Sequence, residues 1–310
     1  MDRVTKQANN PYQYKRKLTS FNRARDAWSS IIEKFIKQNT DATVILPAYI
    51  GWSKNEGSGI FDPVDNTNIP FAFYGLNKHL QIDFEDFKKK VKTNTNPIVL
   101  LVHYFGFPDS NYDEIANWLD EENVFYVEDS AHAMLTDLIG GICGRKAAYN
   151  LFALHKILPL ETGGLLVDNL KQNLEIGRNP SSLTNTHSLE YDFKSIYDKR
   201  ITNYKLLINH LKDINGITIL YPELKEGVCP QTLPVLIHDT NRDAIYFEMN
   251  KRGFGFVSLY HTMIEQLENS TFESAIYTSK HIINLPVHQD CEEADLVDMI
   301  KNFKLVLNNG

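Results

Sequence analysis

The chain has 310 residues, a formal charge of -7 and a pI near 5.8, with 43% hydrophobic and 23% charged residues. That is enough chain for one large domain or two moderate ones with a substantial core. The composition excludes disordered and collagen-like classes, and the acidic balance recruits neither nucleic acid nor an anionic membrane.

In chain order, residues 22–38 are predicted helical, because Ala24, Ala27, Trp28, Ile31, Ile32, Phe35 and Ile36 recur on one face. Ser20 or Asn22 is the expected cap. TVILPA (43–48) and IPFAFY (69–74) read as short strands, and DFEDFKKKV (83–91) as a helix whose Lys88–Lys90 run is a solvated face. PIVLLVHYFG (97–106) reads as a continuous apolar strand, YDEIANWLDEEN (112–123) as an amphipathic helix and VFYVED (124–129) as another strand. Strands apolar on both faces, separated by helices, indicate an α/β fold with a mainly parallel sheet and flanking helices. In such sheets functional residues collect beyond the carboxyl ends of the strands, where His103, Glu128 and Asp129 fall.

Residues 171–190 are polar and rich in Gly, Pro, Ser and Asn, as in a connection. After them come a helix over 192–213, the β-type runs ITILYP and TLPVLIH, a helix near 241–252, a strand near 254–260 and a last helix near 292–308. The expected division is a large domain over 1–190 and a small C-terminal α+β domain over 191–310. Cys143, Cys229 and Cys291 show neither metal spacing nor a disulfide framework. No apolar run approaches the roughly 20 residues of a membrane span. The N-terminal MDRVTKQANNPYQYKRK lacks the apolar core of a signal peptide. A reduced cytoplasmic setting is therefore the expectation.

Three features could carry chemistry. In FYVEDSAHA, Asp129 sits at a strand end with His132 three residues on; a buried carboxylate there needs a positive partner, or it simply caps the next helix. In LFALHKILPLETGG (151–164), Lys156 lies in an apolar stretch beside His155. Desolvation would keep its amine neutral and nucleophilic; a surface lysine with a buried stem is the alternative. Gly163 and Gly164 mark a tight backbone or a turn before the strand GLLV. The helix start SFNRARDAW (20–28) offers backbone N–H groups and the charges of Arg23 and Arg25 to a phosphate, or is an ordinary surface helix start. Together a helix start, a strand-end acid and a later lysine form the layout that pyridoxal 5′-phosphate (PLP) requires.

The segments FNRARDAW (21–28), VILPAYIGWS (44–53), VHYFG (102–106), VEDSAHA (127–133) and LHKILPLETGG (154–164) resemble, in order, those of the DegT/DnrJ/EryC1/StrS sugar aminotransferases. NLPVHQD (284–290) resembles a C-terminal segment of divergent members. The resemblance implies the large domain of PLP fold type I, with Lys156 as the Schiff-base lysine and Asp129 as the partner of the pyridine nitrogen. It sets His132 near the ring hydroxyl, Ala24 and Arg25 by the phosphate, and Trp52 or Tyr49 against the ring. A serine that many members carry before the lysine is missing, and Asn150 is the remaining position to serve the phosphate; Ala24 replaces a usual glycine.

The implied function is transfer of an amino group from an amino acid, glutamate above all, to a keto sugar linked to a nucleotide, in cell-surface polysaccharide or amino-sugar biosynthesis. The implied assembly is a homodimer. Alternatives are a sugar dehydratase or other lyase on the same scaffold, in which histidine replaces the lysine, and a non-catalytic scaffold with a regulatory role. A metal hydrolase using His103, Asp129 and His132 would explain neither Lys156 nor the helix start, so no metal is expected.

Overall fold

A computed structural model describes residues 16–169 and 191–309. The polar connection at 171–190, and with it the expected domain boundary, lies outside the described residues.

The first part runs β1 (Lys17–Phe21), α1 (Ala24–Gln38), β2 (Thr43–Pro47), α2 (Asp62–Asp65), β3 (Phe71–Tyr74), α3 (Phe84–Thr93), β4 (Pro97–Val102), α4 (Tyr112–Glu121), β5 (Phe125–Asp129), β6 (Tyr149–Ala153) and β7 (Gly164–Asp168). Its strands make one seven-stranded sheet in the order β1-β7-β6-β5-β4-β2-β3. β3, β2, β4, β5 and β6 are parallel; β7 runs antiparallel to β6, and β1 antiparallel to β7. The mainly parallel α/β sheet expected from the apolar runs is therefore present. α1 packs its apolar stripe of Ala27, Trp28, Ile31, Ile32 and Phe35 inward, and α3 buries Phe87 and Val91. Burying such side chains contributes about 1.5–3 kcal/mol each.

The second part runs α5 (Phe193–Leu211), β8 (Ile217–Ile219), β9 (Thr232–Ile237), α6 (Arg242–Lys251), α7 (Glu265–Glu268), α8 (Glu273–His281), β10 (Ile282–Pro286) and α9 (Glu293–Asn309). Its sheet is antiparallel, in the order β10-β9-β8.

Several expectations need correction. β4 stops at Val102, not Gly106. The chain then turns through Phe105 (φ 56°) and Gly106 (φ 99°), and a Cβ on Gly106 would lie 2.2 Å from the Cys229 carbonyl oxygen. No strand forms at 254–260: Gly253, Gly255 and Tyr260 have left-handed φ, and Val257 makes only an isolated bridge with Asn284. Helix α1 is capped by neither Ser20, which lies in β1, nor Asn22. Arg23 is the cap residue, and Asp26 accepts its backbone N–H at 2.9 Å. Strands β1, β6 and β10 go beyond the sequence expectation. β1 (KLTSF) is an edge strand with too few apolar positions to show a period. β6 and β10 overlap segments that sequence analysis reads for their motif residues, not as strands.

Candidate active site

A cavity of about 360 Å³ opens beyond the carboxyl ends of the parallel strands, the place this sheet class reserves for ligands. Its walls come from the start of α1 (Arg23–Arg25), the loop after β2 (Ile50–Ser53 and Glu56–Ile60), the ends of β4 to β6, and the segment Ser258–Thr262. Asp129, His132 and Lys156 all line it, and so do Ala24, Arg25 and Trp52.

Lys156 ends a single 3-10 turn (Leu154–Lys156) in the connection between antiparallel β6 and β7. The Leu154 N–H donates to the Gly163 carbonyl at 2.9 Å and closes this loop. The Gly163 N–H donates to the Asn22 carbonyl, and a Cβ on Gly164 would lie 2.3 Å from the carbonyl carbon of Arg23. The paired glycines therefore dock the lysine loop onto the start of α1, which sequence alone left as a tight backbone or a turn. Gln289 adds a tie from the second part by donating to the Ile157 carbonyl at 3.2 Å.

Lys156 Nζ lies 2.9 Å from His132 Nε2, and the Phe105 N–H donates to His132 Nδ1 at 3.2 Å. Burial, then the charge of Lys156, pushes the His132 pKa well below its ordinary value, so the ring is neutral. A neutral imidazole carries one N–H. Because Nδ1 accepts, that proton sits on Nε2 and points at Nζ. An Nε2–H···Nζ bond needs the lone pair of an uncharged amine, and burial lowers the Lys156 pKa towards that form against the opposing pull of Asp129.

Asp129 closes β5 and accepts the Ala131 N–H at 2.8 Å. Burial raises its pKa against the Lys156 charge. A cation brought beside it would relieve that cost.

At the start of α1 the cap residue makes no side-chain bond to the first turn, so backbone N–H groups and the positive end of the helix dipole face the cavity at Ala24 and Arg25. Arg25 itself donates to the Glu56 carbonyl at 2.6 Å and pairs with Asp62 at 3.6 Å, which ties the 53–62 loop down.

Two of the expected residues stand outside the cavity lining. Asn150 does not line the cavity: with side chains alternating along β6, Leu151 and Ala153 face it and Asn150 faces away. It is fully buried and donates to Asp137 at 2.8 Å, in a cluster with Arg16 and Arg145. Tyr49 does not line the cavity either. It is buried, and its hydroxyl donates to the Leu259 carbonyl at 3.3 Å. The His103 side chain pairs with Glu128 at 2.8 Å. Burial works against the Glu128 charge, but His103 and the Ala147 and Gly144 N–H groups outweigh it and hold its pKa down. Among the described residues no group of three or more His, Cys, Asp or Glu could hold a metal ion. Nor is any helix among them long and apolar enough to cross a membrane. Sequence reasoning passes over Tyr260, Glu56 and Glu161, which also line the cavity; Tyr260 and Glu56 lie outside the motifs, and Glu161 lies within LHKILPLETGG without a role assigned to it.

The residues present fit PLP. A buried amine with a lowered pKa suits the aldehyde, a strand-end carboxylate suits the pyridine nitrogen, and a helix start suits the phosphate. Sheet order, the second antiparallel unit and this cavity define the fold of PLP fold-type I aminotransferases. The solved structures agree. PseC of Helicobacter pylori, an aminotransferase involved in the biosynthesis of pseudoaminic acid, superposes with a TM-score of 0.79 at 18% identity over 94% of this chain and 87% of that one. NtdA of Bacillus subtilis with bound PMP gives 0.76 at 15% identity over 96% and 75%.

In sequence, residues 73–185 match the DegT/DnrJ/EryC1/StrS aminotransferase family. The matched segment carries the cavity's carboxylate, histidine and lysine, the stretch in which the motifs led one to expect a likeness. A curated relative, UDP-4-amino-4,6-dideoxy-N-acetyl-beta-L-altrosamine transaminase of Campylobacter jejuni subsp. jejuni serotype O:23/36, is 31% identical over 84 residues. That match spans 26% of this chain and 22% of the relative's length.

Proposed function

We propose that the protein is a PLP-dependent aminotransferase that moves an amino group from an amino acid, glutamate foremost, to a keto sugar carried on a nucleotide. The observation that carries this reading is the buried Lys156 amine, 2.9 Å from His132, in the cavity that also holds Asp129. The sugar as acceptor is supported by the family match and by the UDP-sugar transaminase relative.

PLP would supply an electron sink that makes the proton on an amine-bearing carbon acidic. Lys156 would hold the cofactor and, once free, carry that proton from one carbon to the other through Nζ. Asp129 would keep the ring nitrogen protonated. His132 would orient Nζ through Nε2, and the N–H groups at Ala24 and Arg25 would take the phosphate. Both half-reactions need the cavity closed to water; Trp52, 45% exposed at its mouth, is a place where a second copy of the chain would cover it. A homodimer is part of the proposal.

The lyase alternative needs histidine in the lysine's place. His155 lines the cavity too, but Lys156 is the residue that meets His132. Incubating the protein with PLP, glutamate and a panel of UDP-linked keto sugars, and following 2-oxoglutarate and aminated sugar by mass spectrometry, tests the reading. Amination that stops in Asp129→Asn, with PLP still bound, supports it. Loss of water from the sugar without amino transfer refutes it.

A further inference from the structure

We propose that Tyr260 is the aromatic platform on which the cavity holds a planar ring, the place sequence assigned to Trp52 or Tyr49; this rests on the PLP reading above. A flat cofactor tied at one edge to Asp129 and at another to Lys156 can still tilt about those anchors. A flat side chain against its face removes that freedom, and aromatic faces attract each other when offset or tilted.

Three large aromatic side chains line the cavity: Trp28, Trp52 and Tyr260. Trp28 is buried and donates its indole N–H to the Ile60 carbonyl at 3.1 Å. Trp52 lies at the mouth. Tyr260 lies within: its ring centroid is 6.0 Å from that of His132. Tyr49 stands behind, its ring edge-on to Tyr260 at 5.3 Å and 68°, so it backs the platform without forming its surface.

Two features show that the placement is built. A Cβ on Gly51 would lie 2.1 Å from Cδ1 of Tyr260, so only glycine at 51 lets the ring lie where it does. The Tyr260 backbone is left-handed, with φ 62°, an unfavourable state for an aromatic residue. Its surroundings over-determine it: Ser279 Oγ donates to the Tyr260 carbonyl at 2.8 Å, the Leu259 N–H donates to Asn284 Oδ1 at 3.1 Å, and the Trp52 N–H donates to the Thr262 carbonyl at 3.0 Å. Strain held in this way at a cavity wall points to a placed side chain.

The test is spectroscopic titration of the apo-protein with PLP, read by affinity and by the induced circular dichroism of the visible band, with melting temperature as the check on folding. Tyr260→Phe keeps the ring and is expected to bind within about 3-fold of wild type. Tyr260→Leu fills similar space without a face, and is expected to weaken PLP by about 5- to 100-fold, the range for losing one aromatic stack, and to flatten the induced signal. Gly51→Ala pushes the ring aside, so it should weaken binding alone yet add little on top of Tyr260→Leu. A folded Tyr260→Leu that binds like wild type overturns the platform alone. So does a Tyr260→Phe that falls as far as Tyr260→Leu, since the hydroxyl would then be what matters. A wild type that takes no PLP overturns the cofactor reading and the platform with it.

Discussion

His132 Nε2 lies 2.9 Å from Lys156 Nζ, and because the Phe105 N–H occupies Nδ1, the histidine is the donor and the lysine the acceptor. A left-handed Phe105 thus sets the tautomer that faces the amine. His132→Ala removes the donor and admits water, and both changes favour the charged amine. The pH profile of PLP capture should shift upward, with capture at pH 7 slowed by about tenfold and recovering as pH rises. A profile that stays put or moves down contradicts this role; stopped-flow absorbance over pH 6–10 decides it.

The site costs stability. Burial lowers the Lys156 pKa, so its cost is full below the folded value and fades as pH rises from there to the unfolded value of about 10.4. Burial raises the Asp129 pKa, so its cost is absent below about 3.9 and full above the folded value. In the double variant Lys156→Met/Asp129→Asn neither charge is left alone. Its melting temperature without PLP should exceed that of wild type by roughly 2–6 °C at pH 7, and the gain should shrink towards pH 10. Thermal melts across pH check the sign.

Asn150 separates structure from binding. Its Nδ2 helps satisfy a fully buried Asp137, so Asn150→Ala should cost about 1–3 kcal/mol in denaturant unfolding while PLP affinity stays within about 3-fold. Loss of affinity without loss of stability would return Asn150 to the phosphate.

The phosphate end has its own pair of variants. Gly164→Ala forces a Cβ into the backbone of Arg23 and should both destabilise the protein, by about 1–3 kcal/mol, and loosen PLP. Arg25→Ala removes a charge beside the helix start and a tie to the Glu56 carbonyl; PLP should weaken by roughly 10- to 100-fold. Wild-type affinity in Arg25→Ala would place the phosphate elsewhere.

Apolar runs such as VILP and IVLLV announce a buried parallel sheet because both faces need hydrophobic side chains, and the strand-end position of Asp129 follows from that alone. Lys156 and His132 are legible through motif spacing. Asn150 is not, because choosing a face of β6 needs the strand's register, and β6 itself carries no clear signal in sequence. Tyr260 carries none either: its place in the cavity depends on a left-handed backbone and on Gly51, far away along the chain, a long-range fit that no local period records.

The most direct test of the central claim is where the cofactor attaches. Borohydride reduction of the PLP-loaded protein, followed by peptide mass spectrometry, should find the pyridoxyl mass on the peptide containing Lys156 and nowhere else. Label on another lysine, or none despite bound PLP, would contradict the account.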